Sequence, residues 1–454
     1  MGNASRNAAM MQVRMLVAMA VGLITSRVTL QQLGVEDYGA YSLVWGVLTL
    51  IVFANNTLCN ASVRFLSVEL AGADATSLRN TFAACKRAHL YAAIAILAVA
   101  ETAGLAYMLF AANLPASRFA AVMVVYQISL VTVVATILQS PYTSLLIAHE
   151  KMDVYATIEI VNVTFKLLLV YLLIICDYDK LLTITVFYAS LSAVIYFCYR
   201  YYCVRKYDEA RHASLDDKTK CRTIIMFSAT DLYGNACVSV RDNGFVMIIN
   251  YFFGVVYNAV CNLATVANRA LAGLAGYVLF AYKPQITMSY AKKDYQQMSF
   301  LVGRSTFGSV AIMGVATVVA ISFMPSLLNF WLGVVPDNAV TFTNLLLITG
   351  MIETIFNPLV ATIHASGKIK ALSFLNGSLY LLTIPIIIGL FWCDLPAATA
   401  YLCIIAMDLI IWLSTIVIIK RVVPELRLQK YFEALVAAIS ISVALGFFIH
   451  LAIR

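Results

Sequence analysis

The sequence predicts an all-α membrane protein that crosses the bilayer many times. Three observations predict this class: 62% of the 454 residues are hydrophobic, only 12% are charged, and the apolar residues form long runs that do not alternate. Soluble chains are about 45–50% apolar and about 25% charged, so this excess is more than one soluble core can bury. The composition therefore excludes a soluble enzyme, a disordered chain and a disulfide-rich secreted module.

Thirteen apolar segments are candidate membrane-spanning helices, because a helix needs about 20 residues to cross the hydrocarbon layer. In order they are 9–30, 36–62, 83–110, 119–147, 154–176, 181–203, 222–250, 255–281, 300–324, 338–362, 369–392, 396–420 and 431–453. The runs are too long for the strands of a β-barrel. Polar residues such as Glu433 and Ser440 interrupt the thirteenth segment, which leaves two alternatives open: it spans the bilayer or lies along its surface.

Basic residues alternate from loop to loop along this series. If the N-terminus is cytoplasmic, 23 of the 31 Lys and Arg residues lie on the inner side and five lie within spans. The outer side then carries only Arg118, Lys180 and Arg454. This asymmetry follows the positive-inside rule and predicts a multi-pass membrane protein with its N-terminus in the cytoplasm. It also accounts for the net charge of +8 without a nucleic-acid partner.

The spans fall into two halves of equal orientation, six before and six after a central polar stretch. We predict two six-helix lobes related by a pseudo-two-fold axis along the membrane normal, as parallel repeats of transporters are. A weak echo supports the repeat, since LGVEDYGAYSLVWGV begins at Leu33 and FGVVYNAVCNLATV begins at Phe253. The predicted divisions are an N-terminal lobe 1–204, a cytoplasmic linker 205–221, a C-terminal lobe 222–421 and an additional hydrophobic helix within 422–454.

The sequence gives no sign of catalysis. The predicted outer loops are short, so a catalytic domain of a sugar polymerase or transferase has no room there. The ten cysteines contain no CxxC pair, and the five histidines show no ligand spacing. We therefore predict no catalytic residue, no metal and no cofactor. H⁺ and Na⁺ are the candidate coupling ions.

Three runs resemble a known family. They are LGVEDYGAYSLVWGVLTLIVFANNTLCNASVRF (Leu33–Phe65), VRDNGFVMIINYFFGVVYNAV (Val240–Val260) and KPQITMSYAKKD (Lys283–Asp294). Together they resemble the O-antigen or capsule-type polysaccharide-unit flippases of the multidrug/oligosaccharidyl-lipid/polysaccharide exporter superfamily. The resemblance implies two lobes around a central cleft and transport of an undecaprenyl-pyrophosphate-linked oligosaccharide from the inner to the outer leaflet. The implied location is the bacterial cytoplasmic (inner) membrane. The implied setting is surface polysaccharide and lipopolysaccharide biosynthesis, with membrane lipids and the pathway's polymerase and glycosyltransferases as partners.

Polar residues inside the spans supply the candidate substrate-binding residues, because charges at membrane depth usually face protein or water. Arg offers a planar fork of donors suited to phosphate, whereas Asn and Asp suit sugar hydroxyls. The alternative is that these charges pair with one another and only hold helices together. The primary candidates for the cleft are Arg27, Asp231, Arg241, Asp242, Asn258, Asn262 and Arg269, and the secondary candidates are Arg64, Glu159 and Lys166.

Two other functions compete with the flippase. A cation-coupled multidrug or small-molecule exporter of the same fold prefers acidic residues in an apolar cleft. The first span carries two arginines and no acid, which disfavours that function, whereas Asp231 and Asp242 keep it open. A membrane glycosyltransferase or polymerase is the third class. Its only acidic motif on an outer loop would be Glu36–Asp37, with no second cluster in the sequence to support it.

Overall fold

The computed structural model describes residues 2–71, 75–211, 218–230 and 232–453. Within these ranges the chain is helical and contains no strand, which confirms the all-α class. The helices are α1 (Gly2–Ala71), α2 (Ala75–Val99), α3 (Leu105–Phe110), α4 (Phe119–Ala148), α5 (Met152–Leu172), α6 (Lys180–Lys206), α7 (Asp208–Arg211), α8 (Lys218–Thr230), α9 (Leu232–Phe253), α10 (Val255–Ala291), α11 (Tyr295–Ser322), α12 (Met324–Leu332), α13 (Ala339–Ser366), α14 (Lys370–Trp392), α15 (Ala398–Val422) and α16 (Leu428–Ile453).

Eleven helices of the described residues are long and apolar enough to cross a membrane, so the chain is a multi-pass membrane protein. One of them, α1, covers the two predicted spans 9–30 and 36–62 and bends between them. The predicted span 222–250 is not among the eleven. Its described residues form α8 and α9, and α9 carries Arg241 and Asp242, which lower its hydropathy.

A glycine elbow recurs in the two halves of the sequence. Gly34 interrupts α1 with φ 77°, and Gly254 separates α9 from α10 with φ 81°. Positive φ is unfavourable for residues that carry a Cβ, so glycine is the residue for both elbows. Gly34 and Gly254 occupy matching positions in the two echoing runs, and a long helix follows each of them. The weak sequence repeat therefore corresponds to a repeated local structure.

The chain forms two compact units, Met1–Ala259 and Val260–Arg454. The first unit contains α8 and α9, because α8 packs on α1 and α2, and α9 packs on α1. The compact units thus divide within α10, downstream of the predicted linker 205–221, of which residues 212–217 lie outside the described residues. The assignment of transport lobes to 1–204 and 222–421 remains a prediction.

Each unit has its own apolar core. In the first unit, α1, α2, α4 and α6 enclose Phe82, Tyr126 and Tyr199, which are fully buried. In the second unit, α11, α13, α15 and α16 enclose Phe342 and Tyr431. Burial of such large side chains against neighbouring helices positions the polar faces described below.

The thirteenth apolar segment is the single helix α16, and it lies along α11. Gly303, Gly314 and Val318 of α11 lie against Lys430, Ser442 and Gly446 of α16 in that order, so the two helices run parallel. Small residues let helix backbones approach closely in membranes. Because α16 follows α11 along its length and both are long and apolar enough to span, these contacts favour the spanning alternative for α16, which remains a prediction.

An ion-pair clamp at the predicted outer end of the first unit joins α1, just after its elbow, to the residues that precede α4 and α6. Arg118, which precedes α4, donates to both carboxylate oxygens of Asp37 at 2.7 and 2.8 Å. It also donates to both oxygens of Asp179 at 2.7 and 3.1 Å. Asp179 in turn caps α6 by accepting from the backbone N–H groups of Leu181 and Leu182. Asp37 is therefore part of a structural clamp, and its carboxylate is engaged by a guanidinium.

Candidate functional site

The part of α1 that follows Gly34 has a face of polar and aromatic side chains. Trp45, Thr49, Phe53, Asn56 and Asn60 recur every three or four residues, so they lie on one side of the helix. All five line a cavity of about 360 Å³ within the first unit. The other lining residues are Leu48, Val52 and Thr57 of α1, Val133 and Thr136 of α4, and Val238, Ser239 and Asn243 of α9.

The cavity is uncharged and mainly apolar, with a smaller share of polar groups. Among the described residues that line it there is no carboxylate, ammonium or guanidinium group, and the polar groups are amides, hydroxyls and an indole. Asn243 donates to the Ser239 hydroxyl at 3.2 Å, which fixes its amide on α9. Asn56 and Asn60 are exposed, and neither forms a hydrogen bond to another side chain or backbone group in the described part of the chain. Their amides are thus available to a ligand.

Glycines close the cavity at the end nearest the elbows. A Cβ added at Gly39 would fall on the carbonyl group of Val255, and one added at Gly46 would lie 3.0 Å from Cγ1 of Val246. At this end α1 therefore touches the start of α10 at Gly39, where a methyl group has no room, and packs tightly on the end of α9 at Gly46. Further along, α1 and α9 separate around the cavity.

Asn250 fastens α9 at the same closed end. Its side chain is fully buried, accepts from the backbone N–H of Asn113 at 2.8 Å and donates to the Asn113 carbonyl at 3.1 Å. Tyr107 adds a hydrogen bond from its hydroxyl to the Met247 carbonyl at 2.8 Å. The loop after α3 is thereby tied to the last turns of α9.

We expect Asn250→Leu to destabilise the protein by about 1–3 kcal/mol, because it removes both hydrogen bonds between this side chain and the Asn113 backbone, each worth about 0.5–1.5 kcal/mol. Thermal unfolding of the purified protein in detergent measures this loss. Asn113→Ala is the matched control, since only the Asn113 backbone takes part in these bonds. An equal fall in melting temperature for both variants would contradict the assignment.

The structure pairs two of the predicted cleft residues with each other. Arg241 is 7% exposed, and its Nε donates to the Asp242 carboxylate at 2.8 Å. The Asp242 side chain is half exposed. Both follow Ser239 and precede Asn243 on α9, but neither of them lines the cavity. For Arg241 this is the pairing that the sequence left open as the alternative to substrate binding.

Arg64 and Arg27 lie at different positions on α1. Arg64 is exposed and lies one helical turn beyond Asn60, on the face that lines the cavity. Arg27 is half-buried before the elbow, and it forms no hydrogen bond or ion pair within the described residues of the first unit. The secondary candidate Arg64 therefore lies nearer to the cavity lining along the helix than the primary candidate Arg27.

Glu159 and Lys166 have separate partners. Glu159 accepts a hydrogen bond from the Tyr199 hydroxyl at 2.9 Å, and the Lys166 ammonium lies 5.7 Å from the centre of the Tyr188 ring. Both contacts join α5 to α6. These contacts are of the helix-joining kind that the sequence left open as the alternative, and a role of either residue in substrate binding remains a prediction.

The remaining predicted residues belong to α10 or lie outside the described part. Asn258 is fully buried, and neither its amide nitrogen nor its amide oxygen has a hydrogen-bond partner among the described residues. Asn262 is half-buried and Arg269 is exposed, and both belong to the second unit. Asp231 lies outside the described residues. The grouping of these residues into one cleft remains a prediction.

Sequence reasoning missed most of the cavity lining. Trp45, Phe53, Ser239 and Asn243 were not singled out, although Ser239 and Asn243 have the same four-residue spacing that drew attention to other polar residues. Asn56 and Asn60 are polar candidates in the sequence of the N-terminal half, but the predicted cleft depends mainly on charged residues and does not include them. Spacing between aromatic and amide side chains is the signal that could have revealed the lining.

No family model and no curated protein matches the sequence. Solved structures do match in fold. The lipid II flippase MurJ in an inward closed conformation superposes with a TM-score of 0.75 at 11% identity, covering 97% of this chain and 96% of MurJ. The MATE multidrug transporter DinF-BH in complex with R6G gives a TM-score of 0.70 at 14% identity, covering 95% and 96%.

An inward-facing multidrug resistance MATE transporter of the MOP superfamily gives a TM-score of 0.67 at 11% identity, covering 94% of this chain and 95% of its own. These three proteins are transporters, and each match covers nearly the whole chain. Both flippase and multidrug classes occur among them. The chain therefore has the fold of the MOP superfamily transporters.

Proposed function

We propose that this protein is a flippase that moves undecaprenyl-pyrophosphate-linked oligosaccharide units from the inner to the outer leaflet for surface polysaccharide biosynthesis. The observation that carries the proposal is the uncharged cavity of the first unit, in which amides, hydroxyls and aromatic rings lie among aliphatic side chains. Sugar hydroxyls need many hydrogen-bond partners, and the faces of Trp45 and Phe53 offer apolar surface to a sugar ring. The match in fold to a lipid II flippase supports a lipid-linked cargo.

In this proposal different residues bind different parts of the cargo. Asn56, Asn60 and Asn243 bind sugar hydroxyls, and Arg64, one turn beyond the lining, binds the pyrophosphate at the entrance. Arg27 and Arg269 remain further candidates for the phosphates, whereas Arg241 orients Asp242. The lipid tail stays in the bilayer. No covalent bond changes, so transport requires only binding and a conformational change, with H⁺ or Na⁺ as candidate coupling ions.

A cation-coupled multidrug exporter is the second candidate, since MATE transporters share the fold. The half-exposed Asp242 carboxylate is the observation that favours it. The two functions differ in readout. A flippase deletion removes surface glycan, whereas deletion of a multidrug exporter raises sensitivity to cationic drugs and leaves glycan intact.

We expect Asn56→Leu combined with Asn60→Leu to reduce glycan export by about 10- to 100-fold, because each lost hydrogen bond weakens binding by about 0.5–1.5 kcal/mol and leaves sugar hydroxyls unpaired. Complementation of a deletion strain, with protein quantified by immunoblot, measures the effect. Asn329→Leu on the exposed surface of α12 is the control and should export normally. Full export by the well-expressed double variant would exclude sugar binding in this cavity.

A further inference from the structure

A second groove lies in the second unit, between the later part of α10 and the first turns of α11 and α16. Its volume is about 410 Å³. Val278 of α10, Phe300 and Phe307 of α11, and Ala434 of α16 provide apolar walls, and Arg304 and Lys430 provide charge. None of these residues belongs to the cavity of the proposed transport function.

Close helix contacts shape this groove. A Cβ at Gly303 would lie 2.9 Å from the Lys430 carbonyl oxygen, and one at Gly308 would lie 2.8 Å from Cγ1 of Val278. The first turn of α16 and the side of α10 are therefore both held against α11. Because Gly303 adjoins Arg304, the contact also brings the backbone of Lys430 to the level of Arg304 on the neighbouring helix.

The charged end of the groove is net positive. The Arg304 guanidinium lies 5.4 Å from the centre of the Phe300 ring, and it has no carboxylate partner within the described residues. Lys430 pairs with Glu433 at 3.0 Å, but both side chains are about half exposed, so this pair is weak. Two cations thus face one carboxylate.

The depth of this end matches a lipid headgroup. After Lys430 the sequence of α16 is apolar apart from Glu433 and a few small polar residues. Lys430 therefore marks the edge of the hydrocarbon layer on α16. The flanking loops carry Lys292, Lys293 and Arg427, which the charge asymmetry places on the cytoplasmic side. Further into α11 from Arg304, Phe307 is exposed on a helix apolar enough to span the membrane.

We propose that this groove binds an anionic phospholipid of the cytoplasmic leaflet, with the phosphate between Arg304 and Lys430 and an acyl chain against Phe307 and Val278. The lipid is a resident of the bilayer and is distinct from the transported cargo. Long basic side chains reach headgroups from within a membrane helix, which explains an unpaired arginine at this position. Bound lipid would hold α10, α11 and α16 together.

The test compares lipid binding by the purified full chain in detergent. Phosphatidylglycerol is expected to raise the melting temperature in a saturable way, while phosphatidylcholine and inorganic phosphate do not. Each basic residue at an anionic surface changes affinity by about fivefold, so Arg304→Gln with Lys430→Gln should weaken the apparent affinity about 20-fold. Lys420→Gln with Arg421→Gln removes the same charge from exposed positions outside the groove and should change it little.

Native mass spectrometry of the unmodified protein gives a readout that does not depend on folding of the variants. From an equimolar mixture, phosphatidylglycerol should be retained in preference to phosphatidylcholine. Equal retention of both lipids, equal loss of affinity in the two double variants, or stabilisation by inorganic phosphate alone would each overturn the proposal. The last result would identify a free-anion site in place of a lipid site.

Discussion

Gly39→Leu is expected to abolish transport and to lower stability by about 3 kcal/mol or more. Inserting side-chain atoms into a packed contact costs about 1–3 kcal/mol, and here the opposing group is the backbone carbonyl of Val255, which cannot rotate away. The added side chain would force α1 away from the start of α10 and open the closed end of the cavity. Melting temperature in detergent and glycan export in cells measure the two effects.

Gly22→Leu is the matched control on the same helix, because a Cβ at Gly22 meets no atom within 4 Å. We expect this variant to keep both its melting temperature and its export. Gly39→Ala should fall between the two. If Gly39→Leu behaves like Gly22→Leu, α1 and α10 do not depend on this contact.

Arg118→Ala should be the second severe substitution, with a loss of about 1–3 kcal/mol. Breaking a buried ion pair costs about 3–5 kcal/mol, and the value is lower here because the three side chains are about a fifth to a quarter exposed. The variant leaves two carboxylates facing each other without a cation. Arg118→Lys keeps the charge but loses the fork that reaches both carboxylates, so it should recover only part of the stability.

The clamp also gives this prediction a pH signature. Hydrogen bonds from Arg118 hold the pKa of the Asp179 carboxyl below its usual range. A carboxyl whose folded pKa is depressed stabilises the protein above its unfolded pKa of about 4, and this contribution is lost as the pH falls through the folded value. Melting temperature measured from pH 7 downwards should fall more steeply below about pH 4 in the parent than in Arg118→Ala.

Lys180→Met is the control for the clamp. Lys180 lies beside Asp179 but only donates one hydrogen bond to Gln32, at 3.0 Å. We expect a change of about 0.5 kcal/mol or less and an unaltered pH profile. A parent protein whose pH profile matches that of Arg118→Ala would show that Asp179 titrates without help from Arg118.

Local sequence patterns predicted the helices well because each span contains the information for its own formation. Long apolar runs identified eleven described helices, and the echo at Leu33 and Phe253 anticipated the elbows at Gly34 and Gly254. Which neighbouring helix or cavity a side chain faces depends on how the helices pack, and the sequence of one span does not determine that. Periodicity placed Asp242 on a polar stripe, yet it does not reveal that Arg241 pairs with Asp242 while Asn243, one residue on, lines the cavity.

The same limit explains the candidate site. Charged residues are conspicuous in an apolar sequence, and Glu159 and Lys166 were selected for that reason, but their contacts with Tyr199 and Tyr188 depend on how α5 meets α6. Asn56 and Asn60 became prominent only when α4 and α9 closed a cavity around them. Distances between helices determine which polar residues share a site.

The clamp at Arg118 also sets an order for biogenesis. Gly34 bends α1 between the first two predicted spans, so the predicted topology places Asp37 on the far side of the bilayer once both spans insert. Its guanidinium partner lies 81 residues further along the chain. At about 5–20 residues per second the ribosome needs about 4–16 seconds to deliver it. During this interval the Asp37 carboxylate of α1 stays solvated. Asp179 follows 61 residues after Arg118, so the clamp is complete only when the sixth predicted span has been synthesised.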